Sequence, residues 1–415
     1  MASTVCLFED ALVSNFFPLV YFRPVYDLRC GITTLREKIR YAYPSARMVL
    51  LCRSYLADAL KAKEPNHGVN KFPLDRCLLI NGRVLADKNF SLKIPLSSKN
   101  DIVYVKGDTV VAAFVHGKAL EKIAKNFTGI FSHSDFEGLP QKEVDVELVK
   151  YPWELVHANG AWIEKDFRAF VPAGKKIRGK VHTGVHIIGK KNVSIDSGAV
   201  IKPGAVLDAE EGPIYIGKKV QVFPNAVIVG PAAIEEGSMI KAGAQIYENT
   251  TIGPVCKVGG EVEESILQSY SNKQHAGFLG HSYLGSWVNL GADTNNSDLK
   301  NNYGSVKVPV NGSPVDTGLQ FVGVTIGDHS KSGINTMFNT GTVVGVCSNV
   351  FGSGFPVKSI PSFVWGSTSE ISTYELEKAI AVAKQVMNRR NVKMNSEEET
   401  LFRIVFEMTI GERKI

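Results

Sequence analysis

An aliphatic residue occupies every sixth position of residues 216–258, which read IGKKVQVFPNAVIVGPAAIEEGSMIKAGAQIYENTTIGPVCKV. The eight positions are Ile216, Val222, Ile228, Ile234, Ile240, Ile246, Ile252 and Val258. A step of six matches neither the period of an α-helix nor the alternation of an ordinary strand. It suits a chain that turns a corner after each short strand, so that three steps close one triangular coil of about 18 residues. The pattern predicts a parallel β-helix with these side chains stacked inside.

Glycine is concentrated in the same part of the chain. Of the 38 glycines in the 415 residues, 28 lie between positions 177 and 366. Tight corners need a positive φ or a missing Cβ, so the excess is expected at the corners of the coils. The six-residue step also recurs outside the quoted segment, at Ile195, Ile201, Leu207, Leu284, Leu290, Ile326, Phe338, Val344 and Val350. We therefore predict that the β-helix spans residues 177–366.

The repeat is interrupted twice. The step is lost from about Glu261 to His281, and again from about Thr294 to Phe321, where Asn, Ser and Gly predominate. Insertions in a solenoid are expected as loops pushed out from one face, and loops on a rigid scaffold often carry binding residues. The sequence predicts a loop at each break.

Residues 1–150 show a different pattern. Short apolar runs such as 48–51 and 110–115 alternate with helical stretches such as 34–43. This alternation predicts an α/β domain with a mostly parallel sheet. Residues 151–176, which open with Tyr-Pro-Trp, are expected to form a short connecting helix.

The last part of the chain, residues 367–415, has a helical pattern. One helix is expected to begin at Ser372 or Thr373, and a second at Ser396, which is followed by Glu398. We expect both helices to pack on the last coil and shield its open edge.

The charge is nearly balanced, with 47 Lys and Arg against 41 Asp and Glu, a net charge of +6. No long basic run is present, which argues against nucleic acid or a membrane as partner. The six cysteines show no CxxC spacing, which favours buried thiols of a reducing compartment over disulfides or metal ligands. Glu9 and Asp10 stand where a signal peptide is apolar, and no run approaches the roughly 18 apolar residues of a membrane span. We expect a cytoplasmic protein.

The segment at residues 273–294 reads KQHAGFLGHSYLGSWVNLGADT. It resembles the acetyltransferase domain of the bifunctional N-acetylglucosamine-phosphate uridyltransferases, in which a lysine and a histidine shortly precede an aromatic-Leu-Gly, followed by Val-Asn-Ile-Gly-Ala-Gly-Thr. From His275 to Thr294 the two patterns align without a gap. The resemblance implies a left-handed β-helix that associates as a homotrimer, with active sites between neighbouring prisms.

The resemblance also implies roles for individual residues. His275 corresponds to a general base that takes a proton from an amino sugar as its nitrogen attacks the thioester of acetyl-CoA or another acyl-CoA. Proton transfer of this kind is worth roughly 10² to 10⁴ in rate, and imidazole suits it near neutral pH. Asn289 falls where the family contacts the sugar with an amide, and Lys273 is the lysine before the histidine. Ala292 and Ser353 fall where the family's backbone meets the CoA arm.

Several positions depart from the family's pattern. A substrate-binding tyrosine is replaced by Phe278, and a phosphate-pairing lysine by Glu263, whose carboxylate would repel a phosphate. A phosphate-binding arginine is matched at best by Lys241, and a later lysine has no equivalent beyond Asn302 and Tyr303. We infer that the acyl acceptor need not be a sugar 1-phosphate.

The front domain resembles the sugar nucleotidyltransferase half of the same enzymes, as a truncated, Rossmann-like version. The glycines that cradle a phosphate are absent, because Glu9 and Asp10 stand in their place. The family's magnesium-binding Asp is Arg83, which cannot coordinate a cation, so Mg²⁺ is expected only if nucleotidyl transfer is retained. The candidate nucleotide-binding residues are Arg23, Arg29, Lys38 and Asn81.

Three functions remain open. An acyl-CoA-dependent acyltransferase acting on an amino sugar or nucleotide sugar is favoured by His275 and Asn289. A sugar-1-phosphate nucleotidyltransferase is kept open by the two-domain layout. A non-catalytic scaffold that binds a sugar nucleotide is favoured by Phe278, Glu263 and Arg83. We favour the acyltransferase. His182, His186, His281 and His329, to which the motif assigns no role, are interpreted as solvated or packing side chains.

Overall fold

A computed structural model describes residues 4–171, 176–366 and 370–413. Within these ranges the chain forms an α/β domain, a connecting helix, a left-handed parallel β-helix and two C-terminal helices, which confirms the predicted fold class. The α-helices α1 to α7 are Leu35–Ala42, Ala57–Lys63, Phe90–Lys93, Gly117–Asn126, Pro152–Phe170, Leu376–Asn388 and Ser396–Met408.

The front domain is built on a seven-stranded sheet. In spatial order its strands are Gln141–Glu143, Ile102–Lys106, Thr109–His116, Arg76–Asn81, Thr4–Phe8, Arg47–Leu50 and Gly68–Val69. All of them run in the same direction except Thr109–His116, so the sheet is mostly parallel as predicted. The central strand Thr4–Phe8 is buried along its whole length, because side chains of the domain cover both faces of the sheet.

The β-helix is a triangular prism with three parallel faces. Face A contains Lys180–Val181, Val200–Ile201, Gln221–Val222, Met239–Ile240, Lys257–Val258 and Asn272–Lys273, and later coils add Lys331–Ser332, Asn349–Val350 and Val364–Gly366. Face B contains His186–Ile188, Val206–Asp208, Val227–Val229, Gln245–Ile246, Glu261–Glu263 and Phe278–Gly280, and a separate pair, Asn295–Asn296 with Met337–Phe338, belongs to later coils. Face C contains Val193–Ile195, Ile214–Ile216, Ala232–Ile234, Thr250–Ile252, Ile266–Ser269, Tyr283–Ser286, Thr325–Ile326, Val343–Val344 and Ser359–Ile360.

The six-residue step fills the interior of this prism. All eight aliphatic side chains from Ile216 to Val258 are completely buried in one apolar cluster. Each face is a ladder of short parallel strands, so equivalent side chains of successive coils stack about 4.8 Å apart. This stacking confirms the predicted core.

The first predicted break is wrong. Residues 261–281 contain Glu261–Glu263, Ile266–Ser269, Asn272–Lys273 and Phe278–Gly280, which continue all three faces. The step is lost because the corners shorten: Ala233 pairs with Thr251, 18 positions on, whereas Thr251 pairs with Ile266, only 15 positions on. The second break is an insertion, which carries an antiparallel hairpin of Lys307–Val310 and Ser313–Asp316.

The connecting helix α5 is longer than predicted, with 19 residues from Pro152 to Phe170. Tyr151 is its N-cap and Pro152 occupies the first turn, where proline is well tolerated. One side of α5 packs on the front domain and the other on face C, as contacts with Arg29–Cys30 and Thr250–Ile252 show. Residues 172–175, which the prediction assigns to the same connecting segment, lie outside the described residues.

The C-terminal segment begins differently from the prediction. Ser372 and Thr373 do not cap a helix, because Ile371–Thr373 forms a strand antiparallel to Val364–Gly366 and covers the end of face A. Helix α6 begins after Glu375, and α7 begins after Asn395, which forms a capping box with Glu398. Both helices share a cluster with residues of the front domain as well as of the last coils, so they fill the angle between the two domains.

All six cysteines are free and buried, in agreement with the sequence. Of the helices in the described part of the chain, not one combines the length and the apolar composition that a membrane crossing requires.

Candidate functional site

The predicted general base lies at the corner where face A turns into face B. His275 follows Asn272–Lys273, the last strand before the corner, and its side chain is exposed. Its backbone carbonyl accepts a hydrogen bond from Lys273, but its imidazole makes none with the residues that the structure describes. The imidazole is therefore open to a ligand.

Lys273 fixes the loop that carries His275. Its side chain is only 2% exposed, and Nζ donates to the carbonyls of Gly259 at 3.2 Å, His275 at 3.1 Å and Gly277 at 2.5 Å. Burial lowers the pKa of Lys273 to about 8, although nearby carboxylates oppose the shift. All three protons of the ammonium can be donated within the chain, so Lys273 is placed to position the loop from inside.

Asn289 lies on face A in the next coil, where it bridges Asn272 and Lys331. Its Oδ1 accepts from Asn272 Nδ2 at 3.3 Å, and Oδ1 of Asn272 accepts from Arg390 at 2.6 Å. The predicted amide is thus linked through Asn272 to the end of α6. Ala292 follows at the next corner, and its carbonyl accepts from the Asn335 N–H at 2.8 Å.

Phe278 opens the face B strand directly after the His275 loop. Its N–H donates to Asn295 Oδ1 at 2.8 Å, and its ring covers Gly280, where an added Cβ would meet the ring at 2.5 Å. Lys241 lies two coils earlier on the same corner, with its ammonium 5.3 Å from the ring of Phe223. His275, Lys273 and Phe278 therefore lie together in one coil, whereas Lys241 lies two coils away along the prism.

The remaining β-helix candidates belong to other loops. Asn302 and Tyr303 are exposed in the insertion, and Asn302 lines a cavity of about 510 Å³ together with Lys300, Asn339, Thr340 and Lys358. Ser353 is exposed in the loop after Asn349–Val350. Glu263 lies at the edge of face B opposite His275, since it pairs with Gly280 at the far end of the strand.

Arg23 lies where the front domain meets face C. It is 7% exposed, and its guanidinium forms a two-pronged ion pair with Asp328, with Nη1 to Oδ1 at 2.9 Å. Nη2 also donates to Ser286 Oγ at 2.9 Å, and Nη1 to the carbonyl of Leu19 at 3.1 Å. Both terminal nitrogens of the guanidinium are thus engaged by groups of its own chain.

Arg29 and Lys38 are engaged in the same way. Arg29 pairs with Glu235 of the β-helix, and its Nε donates to the carbonyl of Gln268 at 3.0 Å. Lys38 is 1% exposed and pairs at 2.5 Å with Asp166 of α5. Burial raises the pKa of the Glu235 and Asp166 carboxyls, and the two cations counteract that shift.

The place of the family's magnesium site holds an ion pair. Arg83 is completely buried, and its Nε donates to Asp10 Oδ1 at 2.8 Å. Asn81 donates to Asp10 Oδ2 at 2.8 Å, while the adjacent Glu9 is held by Arg53 at 3.0 Å. Both carboxylates are neutralised by guanidinium groups, so these residues do not fit a Mg²⁺ ion.

One cluster escaped the sequence analysis. Glu263, His281 and Asp298 place one ligand atom each within 4.8 Å of one another, and His281 Nδ1 lies 2.9 Å from Asp298 Oδ2. Burial and the charge of Asp298 raise the pKa of Glu263. The signal in the sequence is the spacing, since 18 residues separate the first two and 17 the last two, one coil each.

Comparisons with known proteins give a family match and a set of curated relatives. Residues 5–173 match a family described as sugar nucleotidyl transferase. The bifunctional protein GlmU of Methanococcus maripaludis is 30% identical over 200 residues, which cover 48% of this chain and 41% of that protein. The bifunctional sugar-1-phosphate nucleotidylyltransferase/acetyltransferase of Sulfurisphaera tokodaii is 29% identical over 174 residues, covering 36% of this chain and 43% of that protein.

Solved structures are similar at a lower level. The UDP-N-acetylglucosamine acyltransferase of Francisella novicida aligns with a TM-score of 0.29 and 11% identity, covering 55% of this chain and 92% of that one. A putative glucose-1-phosphate thymidylyltransferase of Bacillus anthracis aligns with a TM-score of 0.29 and 9% identity, covering 40% of this chain and 96% of that one.

The chain spans about two fifths of the length of the curated relatives it matches, 41% and 43% for the two described. Residues 5–173 match the sugar nucleotidyl transferase family, and the resemblance of the chain to the bifunctional sugar nucleotidyltransferase/acetyltransferases is confirmed.

Proposed function

We propose that this protein transfers an acyl group from an acyl-CoA to the amino group of an amino sugar or a nucleotide-linked amino sugar, with His275 as general base. The observation that carries the proposal is the exposed imidazole of His275, unengaged by the described residues, on a corner held from inside by Lys273. The names of the relatives, which include an acetyltransferase, support the same reaction class.

The chemistry follows from the position of the base. The amine nitrogen attacks the thioester carbonyl, and His275 takes the proton that the nitrogen loses as the new bond forms. The carbon–sulfur bond then breaks, and the CoA sulfur leaves and accepts a proton. Lys273 acts as a positioning residue, because its three hydrogen bonds to carbonyls fix the backbone on both sides of the imidazole.

The acyl acceptor is proposed not to require a phosphate bound beside His275. Phe278 presents a ring, and Glu263 lies at the opposite edge of face B, so neither supplies a cation beside His275. Asn289 and Ala292 lie on the next coil and are proposed to contact the sugar and the CoA arm, respectively, with Ser353 as a further CoA contact. A site this open on one prism is proposed to be completed by the neighbouring subunit of a homotrimer.

The test is an acyl-transfer assay on the full chain. Release of free CoA thiol from acetyl-CoA is measured with a panel of amino sugars and nucleotide-linked amino sugars. His275→Gln should lower the rate by about 10² to 10⁴. His186→Gln is the matched control, because His186 is an exposed histidine of face B in the first coil, and it should leave the rate unchanged. Thiol release that survives His275→Gln would refute the proposed base.

Nucleotidyl transfer is the second candidate, because residues 5–173 match the sugar nucleotidyl transferase family. The ion pairs of the candidate phosphate-binding cations argue against this function, because Arg23, Arg29 and Lys38 are already bound to carboxylates of the β-helix and α5. Pyrophosphate release from a panel of nucleoside triphosphates with sugar 1-phosphates and Mg²⁺ tests it. Activity in that assay would show that these ion pairs open, and its absence would leave acyl transfer or simple binding of a sugar nucleotide.

A further inference from the structure

The corner where face B turns into face C carries the Glu263, His281 and Asp298 cluster, which the proposed acyl transfer does not use. The three residues come from three successive coils. Glu263 ends the strand Glu261–Glu263, and His281 directly follows the strand Phe278–Gly280, which pairs with it. Asp298 follows Asn295–Asn296 in the next coil. Because coils repeat about 4.8 Å apart, one side chain from each coil converges on the same small volume.

The backbone makes room for this convergence. His281 has a positive φ of 46°, which turns the chain at the corner. Gly280 must lack a Cβ here, since an added Cβ would lie 2.4 Å from Oδ2 of Asp298. The carboxylate of Asp298 therefore occupies space that any other residue at position 280 would fill.

The cluster holds two carboxyl groups and one imidazole, so its acidic groups outnumber its basic one. Glu248 and Glu261 add further negative charge near Glu263. Among the described residues, no hydrogen bond to a side chain engages the Glu263 carboxylate, whereas Asp298 is held by His281 at 2.9 Å. Two carboxylates next to one imidazole are the kind of donor set that binds a divalent metal ion.

Two aromatic side chains cover the cluster on one side. The ring of Phe321 stacks on His281 with centroids 5.1 Å apart, and His157 of α5 lies 5.5 Å from His281. His157 Nε2 is bonded to the Phe321 carbonyl at 2.8 Å, which holds this pair in place. The side chains of His281 and Asp298 are 12% and 13% exposed, so the cluster is shielded but reachable.

We propose that Glu263, His281 and Asp298 bind one divalent transition-metal ion of the Zn²⁺ or Mn²⁺ class. Three donor atoms no more than 4.8 Å apart can all lie within about 2.8 Å of one point, and small rotations bring them to the ~2.0–2.2 Å of Zn–N and Zn–O bonds. In the bound state His281 is neutral and turns its Nδ1 lone pair from Asp298 to the ion. Water fills the remaining coordination positions.

The ion would fasten the insertion to the prism. Asp298 immediately precedes Leu299, which bridges to Phe321 and so closes the base of the insertion that carries Asn302 and Tyr303. Coordination of one ion by Asp298, Glu263 and His281 would connect the start of the insertion to the two preceding coils. The role is architectural, and it does not depend on whether His275 is catalytic.

The test is metal binding by the full chain after treatment with a chelator. Zn²⁺ and Mn²⁺ are titrated separately by calorimetry, with Mg²⁺ and Ca²⁺ as oxygen-preferring comparisons, and thermal unfolding is followed with and without each ion. We expect one bound ion per chain and a higher unfolding temperature with Zn²⁺ or Mn²⁺. Loss of an outer-shell partner typically weakens metal binding by about 10- to 100-fold, so loss of a direct ligand in Glu263→Gln should cost at least as much.

A matched control separates the site from general binding by surface histidines. His186→Gln removes an exposed histidine of the same face and should leave the affinity unchanged, whereas His281→Gln should abolish tight binding. If the cluster is only an ion pair, Glu263→Gln removes a repulsive carboxylate and raises the unfolding temperature without metal, while the ions have no effect on the wild type. That result, or binding that Glu263→Gln leaves intact, would overturn the proposal.

Discussion

The ion pair between Arg23 and Asp328 should be one of the strongest single links between the front domain and the β-helix. Both side chains are buried, 8% and 4% exposed, and the carboxylate accepts from both terminal nitrogens of the guanidinium. Asp328 Oδ1 also accepts from the N–H of Ser286 at 3.0 Å. Asp328→Asn keeps the shape of the side chain but removes its charge, and in either orientation of the amide its NH₂ group faces the guanidinium.

The expected cost is large because one charge stays buried without a counter-charge. Removing one partner of a buried ion pair typically lowers the free energy of unfolding by about 3–5 kcal/mol. Arg23 would keep the Leu19 carbonyl, Ser286 Oγ and one amide oxygen as acceptors, and none of them carries a charge. The double variant Arg23→Met with Asp328→Leu removes both charges and should recover most of the loss, since apolar pairs of similar volume often replace buried ion pairs without net cost.

The assay is urea-induced unfolding, followed by fluorescence and by circular dichroism. In a multidomain chain the two signals can change at different urea concentrations, which would show that unfolding is not two-state. Glu375→Gln is the control, because its partner Lys378 and Glu375 itself are 65% and 68% exposed, and such a pair is worth less than about 1 kcal/mol. If Asp328→Asn costs no more than this control, the buried pair does not hold the domains together.

Two further variants and the oligomeric state supply the remaining predictions. Gly160→Ala should destabilise the chain by about 1–3 kcal/mol, because a Cβ there would lie 1.7 Å from Asn249 Oδ1, whereas Gly411→Ala meets nothing within 4 Å and should be neutral in the same thermal unfolding assay. Lys273→Met should cost at least about 1 kcal/mol for each of the carbonyls it leaves unpaired. Burial holds the pKa of Lys273 at about 8 in the folded chain, against 10.5 ordinarily. Between pH 8 and 10.5 the unfolded chain therefore binds more protons at this lysine than the folded chain does. The free energy of unfolding of the wild type should rise with pH over this range relative to that of Lys273→Met. Light scattering should give three times the chain mass of 45.3 kDa, and a monomer would contradict the proposed trimer.

The interior of the β-helix could be predicted from the sequence because its information is local. Each aliphatic residue from Ile216 to Val258 occupies the same position of its own short strand, and the period alone identifies the buried set. The six-residue period does not predict the strands between Glu261 and His281, because the corners there are shorter; Thr251 nevertheless pairs with Ile266. Register within a sheet survives a change in corner length, whereas a fixed period does not.

The candidate site was predictable only in part, for a related reason. The family resemblance identifies His275, but the loss of the six-residue step left its position on a corner unpredicted. The burial of Lys273 depends on the Gly259 and Gly277 carbonyls, which a periodic pattern does not reveal. The partners of Arg23 and Arg29 lie 305 and 206 positions away, and no feature of the sequence pairs them. The Glu263, His281 and Asp298 cluster could have been predicted from the sequence, because its members are spaced one coil apart.

The two arginines explain how the front domain is oriented on the prism. Glu235 follows the face C strand Ala232–Ile234, and Asp328 follows Thr325–Ile326, four ladder steps and therefore about 19 Å further along. Two buried ion pairs this far apart on one face oppose both sliding and rotation of the domain, which a single contact could not do. A nucleotide phosphate at Arg23 would have to displace Asp328 and so release one of the two. Binding there and docking of the domains therefore compete for the same guanidinium, and a nucleotide that did bind should loosen the interface rather than strengthen it.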